Sequence, residues 1–240
     1  MSATWLEALT GGSDLEVSFE LYHENSKLDR HRHRHARPDV PRCALPARAA
    51  YVGYPRIELG EAGPADAPAP RAHQTLRPHG LSREALSTLL SRAAGRDCPE
   101  ACAIYFHAAT VKDLVPGLYH YDARRHAGVL LGGSDPAAAI ARGLLRPAVF
   151  NHASALFFVA CAFDRLAASH GERGYRLGLI EAGRLVERLV HAAASLGLAA
   201  IETGDFYDRE FDVLLGLDGV TAGTLALVAV GSGGEVGRRA

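Results

Sequence analysis

Two spacings of apolar residues along this chain predict helices and strands. Leucines recur at helical spacing over residues 81–94, and Ser82 is in position to cap that helix. A longer helical repeat predicts a helix over residues 172–197, ended by Gly197. The nearly continuous apolar stretch SALFFVACAF, residues 154–163, predicts a central strand buried on both faces of a sheet.

Shorter patterns fill the rest of the C-terminal two-thirds. They predict a strand at 102–110, a hairpin at 114–133, a helix at 135–145, a strand at 198–204, a helix at 208–217 and a last strand at 223–234. Helices and strands are interleaved without a regular βαβ repeat. This order predicts an α+β fold, in which helices cover a sheet.

The N-terminal part has a different composition. Residues 1–70 are predicted to form an irregular N-terminal arm and linker, since residues 58–73 are rich in Ala, Pro and Gly. The folded domain is predicted to occupy residues 71–240. The arm contains HRHRH, whose histidines share one face of an extended strand. A metal-binding surface and a solvated arm are both open, and the solvated arm is favoured.

Charge and cysteine content narrow the function classes. The 26 basic and 27 acidic residues give a net charge of −1, which favours neither nucleic acid nor an anionic membrane as a partner. Without a spanning apolar run or a signal-peptide pattern, we expect a cytoplasmic protein. Four scattered cysteines predict reduced, buried thiols and no metal site: Cys43, Cys98, Cys102 and Cys161.

Four segments resemble one known family. They are YHENSKL (22–28), LVPGLYHYD (114–122), the stretch from GERGYRLG to ETGDF (171–206) and LLGLDG (214–219). They resemble the flavin-dependent azoline dehydrogenases of the nitroreductase superfamily, which act in streptolysin- and microcin-type thiazole- and oxazole-forming peptide biosynthesis. The resemblance covers most of residues 22–231 and is strongest from 114 onward.

The resemblance carries expectations about fold and chemistry. It implies a nitroreductase-like central mixed sheet flanked by helices, in an intertwined dimer with FMN at the interface. Helix 172–197 would lie in that interface. The implied reaction oxidises a thiazoline or oxazoline to the aromatic azole, with hydride passing to FMN and O₂ reoxidising it.

The resemblance also implies site residues. Flavin phosphate and ring contacts fall at the positions of an R-S-x-R type motif, in the loop 94–101 and at the end of a strand. These cofactor-binding candidates are Arg71, His73, Gln74, Arg96, Arg176, Thr203 and Gly204. His170 lies where peptide-oxidising members carry a Lys-Tyr pair, and it is a candidate general base. Tyr175 is the second catalytic candidate.

Arg176 has two interpretations that stay open. It would either contact an anion or flavin at the dimer interface, or form an ion pair with Glu172 or Glu181 along the same helix.

Several departures from the family pattern suggest a second function. Gln74 replaces an arginine, and the loop 94–101 keeps one glycine and gains two acidic residues. Ser232 directly follows the Val-Gly of the last strand, where some relatives have arginine. The alternative is therefore a degenerate, non-flavin subunit that is a partner or scaffold for an active homologue or a modifying complex such as a cyclodehydratase. A homodimer or heterodimer fits either hypothesis, and the substrate would be a peptide or a small molecule.

Overall fold

The computed structural model describes residues 53, 55–58, 76–77, 80–95, 101–171 and 173–233. Within these residues the strands are β1 (Arg56–Glu58), β2 (Leu76–Arg77), β3 (Cys102–Ala108), β4 (Gly117–Asp122), β5 (Ala127–Leu130), β6 (Ala155–Ala162), β7 (Ala199–Thr203) and β8 (Ala222–Gly233). The α-helices are α1 (Arg83–Ala94), α2 (Ala137–Gly143), α3 (Phe163–His170), α4 (Arg173–Ser195) and α5 (Asp208–Leu215), and a 3-10 turn covers Pro147–Phe150.

The strands form one sheet in the order β1-β5-β4-β3-β6-β8-β2, and β7 also pairs with β8. Every pairing between the strands that the structure describes is antiparallel, where the resemblance led us to expect a mixed sheet. The helical excursion through α3 and α4 brings β7 back parallel to β6. Because β8 lies between these two strands, they form no parallel pair.

The predicted central strand is confirmed. All eight residues of β6 are buried, and β6 pairs with β3 on one side and β8 on the other. Its alternating side chains supply both cores. Phe157 packs with α1 and α4, whereas Phe158 packs on the opposite face with Phe211 of α5. The sheet therefore has helices on both faces, as the predicted α+β class requires.

Helix ends follow the capping signals closely. Ser82 accepts a hydrogen bond from the backbone N–H of Ala85 at 3.1 Å, so the predicted N-cap of α1 is confirmed. The long helix α4 ends at Ser195, and Gly197 has a φ of +69°. No helix of the described residues is both long and apolar enough to cross a bilayer.

Two features of the sheet and its helices were not predicted. Helix α3 directly follows β6, has only eight residues and begins at Phe163, which the sequence pattern assigned to the strand, so its short apolar pattern was not separated from that strand. Strand β1 pairs with β5, so the sheet includes a segment that precedes the predicted domain boundary at residue 71.

Helices α3 and α4 meet through a glycine. A Cβ on Gly174 would lie 2.2 Å from the backbone oxygen of Leu166 and 2.7 Å from the backbone nitrogen of Ala167. Backbone atoms of α3 cannot move away as a flexible side chain would. Gly174 is therefore required by the close approach of the two helices.

We expect Gly174→Ala to lower the free energy of unfolding by about 1–3 kcal/mol, because the clash outweighs the gain in helix propensity. Arg173→Ala, at an exposed neighbouring position, is the matched control and should change it by less than about 0.5 kcal/mol. Urea unfolding followed by circular dichroism measures both. Equal stability of the two variants would contradict the packing argument.

Candidate functional site

A cavity of about 310 Å³ lies where β6 ends and α3 begins. Its wall comes from α3, the start of α4 and the turn before β8, and consists of Phe163, Asp164, Ala167, Gly171, Tyr175, Val220 and Thr221. Val220 is 79% exposed, so the cavity opens to the surface. Its volume is at the lower end of the range that ligand pockets occupy.

Backbone hydrogen bonds fix the position of this wall. The N–H groups of Phe163 and Asp164 both donate to the carbonyl oxygen of Thr221, at 2.7 and 3.2 Å. The rings of Phe163 and Tyr175 lie 5.1 Å apart between centroids and join α3 to α4. The turn before β8 is thus held against α3.

The turn itself is built by Asp218. Its carboxylate accepts hydrogen bonds from the backbone N–H groups of Val220, Thr221 and Ala222 and from the Thr221 hydroxyl. The Thr221 hydroxyl bond, with the backbone bonds, holds the pKa of Asp218 well below its usual range. Gly216, with a φ of +68°, ends α5 just before. The LLGLDG segment therefore has a structural role in forming this turn.

The structure places one predicted catalytic residue in the cavity wall. Tyr175 is half-buried and lines the cavity. His170, the last residue of α3, is exposed and directly precedes the lining residue Gly171. The sequence analysis missed Asp164, which also lines the cavity, because it lies in the unpredicted helix α3.

One of the two proposed ion-pair partners of Arg176 is engaged elsewhere. Glu181 accepts a hydrogen bond from the guanidinium of Arg184 at 2.7 Å. Glu172 lies outside the described residues. Arg176 is half-buried and follows Tyr175 on α4, so its position beside the cavity wall stays compatible with an anion contact.

Thr203 and Gly204 form a second candidate region at the end of β7. The Thr203 hydroxyl accepts from the backbone N–H of Asp205 at 2.9 Å, and Asp205 forms an ion pair with Arg146. A Cβ on Gly204 would meet no atom within 4 Å. The backbone at Gly204 is therefore open to a ligand, on a loop that its neighbours hold in place.

The two candidate regions are apart within one protomer. Thr203 pairs with Leu227 of β8, whereas Thr221 precedes the first residue of that strand. Six residues of extended chain correspond to about 20 Å. The remaining candidates, Arg71, His73, Gln74 and Arg96, lie outside the described residues and stay predictions, as does any role of His31, His33 and His35.

A buried histidine that the sequence analysis missed lies on β3. Nε2 of His107 is 2.8 Å from Oδ1 of Asp135, and His107 is 6% exposed. Burial lowers the pKa of His107, and Asp135 offsets this only in part. The imidazole is therefore neutral at pH 7 and donates its Nε2–H to the carboxylate. The partners are 28 residues apart, so no local sequence signal connects them.

A family model described as the nitroreductase family matches residues 71–232, more than half of the chain. The chain belongs to the nitroreductase family. The match begins at the candidate phosphate ligand Arg71 and ends within β8.

Two relatives are matched over about half of their own length. The Methanocaldococcus jannaschii protein MJ1384, a curated relative assigned as a nitroreductase, is 28% identical over 112 residues, which are 47% of this chain and 57% of that protein. A structure from Anabaena variabilis with the same assignment is similar with a TM-score of 0.68 and 18% identity, over 84% of this chain and 46% of that one. The chain thus spans about half the length of both.

Two further solved structures share the fold. The E. coli microcin synthetase McbBCD complex, with truncated pro-MccB17 bound, is similar with a TM-score of 0.60 and 16% identity, over 83% of this chain and 77% of that chain. An oxidoreductase containing FMN is similar with a TM-score of 0.51 and 18% identity, over 69% of this chain and 74% of that one. These similarities show the nitroreductase-like fold.

The described residues of this nitroreductase-family chain suit the ring of FMN better than its phosphate. The open backbone at Gly204 suits the approach of a flat ring. The phosphate would need cationic donors, and the residue after Gly231 is the hydroxyl-bearing Ser232. Phosphate binding would therefore depend on Arg71 and Arg96, the two arginines predicted from the sequence, which lie outside the described residues.

We expect the stability of the protein to depend on the protonation of His107. Because its folded-state pKa is lowered, the unfolded chain binds more protons below about pH 6.5. The stabilisation is fully present above that pH and is lost as pH falls through the folded-state pKa. Between about pH 7.5 and pH 5, wild type should lose more free energy of unfolding than His107→Gln, by about 1.4 kcal/mol per unit of pKa difference.

Denaturant unfolding at several pH values measures this difference. The glutamine keeps a donor for Asp135 but does not titrate, so other titrating groups cancel in the comparison. Parallel pH profiles of the two proteins would show that His107 is not buried in its neutral form.

Proposed function

We propose that this chain is an FMN-dependent oxidoreductase of the nitroreductase type, which works as a dimer and oxidises azoline rings to azoles in a ribosomally made peptide. The observation that carries the proposal is the open backbone at Gly204, on a loop held by Thr203, Asp205 and Arg146. A preorganised backbone with no Cβ in the way is what close contact with a flavin ring requires.

The surface of α4 supports an assembly of two subunits. Leu179 and Ile180 are 37% and 49% exposed on this helix, and a Cβ on the nearby Gly183 would meet no atom within 4 Å. Apolar side chains beside a small residue suit close helix packing. A second subunit on this face would also explain why the two candidate regions are apart in one protomer.

His170 and Tyr175 are the residues proposed for the reacting end of the substrate. When bound, FMN would supply the two-electron redox chemistry. Aromatisation of an azoline also removes a proton from the ring, and a neutral imidazole can accept it. His170 is exposed at the rim of the open cavity, where the side chain of a peptide substrate has access, and Tyr175 would orient the ring.

The choice of an azoline substrate depends on the motifs. The segments 114–122 and 171–206 carry the resemblance to azoline dehydrogenases, and a complex that makes a microcin shares the fold. In this proposal the chain would act beside the enzymes that form the azoline ring.

The second candidate function is a partner subunit that binds no flavin. Among the described residues that line the cavity, Asp164 is the charged one, and its carboxylate would repel a phosphate. Gln74 and Ser232 replace cationic donors that the family pattern places at the phosphate. A subunit of this kind would keep the fold and the exposed face of α4 but would catalyse no flavin-dependent reaction.

Flavin content separates the two functions. We expect purified protein to bind one FMN per chain and Gly204→Val to weaken FMN binding at least about tenfold, because the new side chain would occupy the space of the ring. Gly133→Val is the matched control, since Gly133 is also exposed with open space at its Cβ. Absorbance near the flavin band and titration with FMN measure both. A wild type that stays colourless in excess FMN would favour the partner function.

A thiazoline-containing peptide tests the substrate. With FMN bound equally, His170→Gln should lower the rate of azole formation by about 10²–10⁴-fold, because the ring proton loses its acceptor. Asn151→Gln, at another exposed surface position, is the control and should leave the rate unchanged. Mass spectrometry follows the loss of two hydrogen atoms per ring. Unchanged turnover by the His170 variant would remove His170 from the mechanism.

A further inference from the structure

Two buried cysteines face each other across the centre of the sheet. Cys102 of β3 and Cys161 of β6 are direct partners in the antiparallel register, and they are 3% and 2% exposed. They lie 59 positions apart in the chain, so the sequence analysis treated them as separate, scattered thiols.

The hydrogen-bond pattern identifies the type of this pair. The backbone N–H of Ala162 donates to the carbonyl oxygen of Ala101 at 2.8 Å, so the neighbouring pair is hydrogen-bonded. At the other end of the two strands, the backbone N–H of Ala109 donates to the carbonyl oxygen of Ser154. Residue 109 is an even number of positions from residue 101, so both bonds belong to the same alternating set of hydrogen-bonded pairs. Cys102 and Cys161 are therefore a non-hydrogen-bonded pair. Such pairs have Cα atoms about 4.5 Å apart, and a disulfide needs about 4.4–6.8 Å.

The thiol of Cys161 lies directly beneath α4. A Cβ on Gly178 would be 2.8 Å from its Sγ and 2.7 Å from Cδ1 of Leu166. Tyr175, which lines the cavity, is nearly one helical turn earlier on α4. One turn is about 5.4 Å long, so the helix position that covers the sulfur is within one turn of the cavity wall.

The two thiols also interact in the reduced state. A hydrogen bond with Cys102 lowers the pKa of Cys161 below its ordinary value, although burial acts in the opposite direction. A thiolate is the nucleophile in thiol oxidation, so this contact favours Cys161 as the sulfur that reacts first.

We propose that Cys102 and Cys161 are a dithiol pair that closes to an intramolecular disulfide, with a peroxide as the oxidant. The Cys161 thiolate attacks one oxygen of hydrogen peroxide, the O–O bond breaks, and the products are a sulfenic acid and hydroxide. The Cys102 sulfur then attacks the sulfenic sulfur. The thiol proton and the leaving hydroxyl group form water. Overall, two thiols and one hydrogen peroxide give one disulfide and two waters. A small dithiol reduces the protein disulfide back to two thiols by thiol–disulfide exchange and is itself oxidised to a disulfide.

Peptide mapping after oxidation tests the pair without any flavin. The full chain with Cys43→Ser and Cys98→Ser is treated with hydrogen peroxide, denatured, alkylated and digested. Mass spectrometry should find the Cys102 and Cys161 peptides cross-linked and their alkylation lost together, and dithiothreitol should restore both. In the Cys102→Ala variant, Cys161 should instead be trapped by dimedone as a sulfenic acid.

The wild-type chain gives a second measurement in case the serine background folds poorly. The same cross-link should appear there. The proposal is wrong if, after peroxide treatment of the folded chain, Cys102 and Cys161 can both still be fully alkylated, while the same treatment oxidises them in the urea-unfolded chain. It is also wrong if the cross-links join two chains or connect either residue to Cys43 or Cys98.

Discussion

The pairing of β6 on both edges is the constraint on which the rest of the structure depends. All eight of its residues are buried, so its backbone N–H and C=O groups have no access to water and must bond to β3 and β8. A strand of this kind is stable only in the middle of a sheet with both faces covered. Because the chain passes from β6 directly into α3, the same pairing fixes where the cavity lies.

Successive side chains of β6 point to opposite faces of the sheet, so each packs against the helices on one face. Phe157 belongs to the core beneath α1 and α4, and Phe158 to the core beneath α2 and α5. Cys161 is on the same face of β6 as Phe157 and therefore lies under α4, where Gly178 leaves room for its sulfur. The glycines near the start of α4 thus serve close packing.

The candidate site was only partly predictable. Tyr175, a catalytic candidate taken from the motif, lines the cavity, and its catalytic role stays a prediction. Gly204 proved to be an open backbone position at the end of β7. Asp164 was missed because it lies in the unpredicted helix α3. His107 was missed because its partner, Asp135, is 28 residues away in the chain. No spacing along the chain indicates that His107 meets Asp135, since only the sheet and its connections bring them together.

The sequence by itself determined the local elements. Apolar spacing located α1, α4 and β6, and Ser82 and Gly197 marked helix ends, because these signals act within one turn or one strand. Only the tertiary structure decided that β8 lies between β6 and β7, that every pairing between the named strands is antiparallel and that Cys102 faces Cys161. Strand order and register minimise exposed apolar surface across the whole sheet. The free energy gained by this burial comes from contacts between residues distant in the chain.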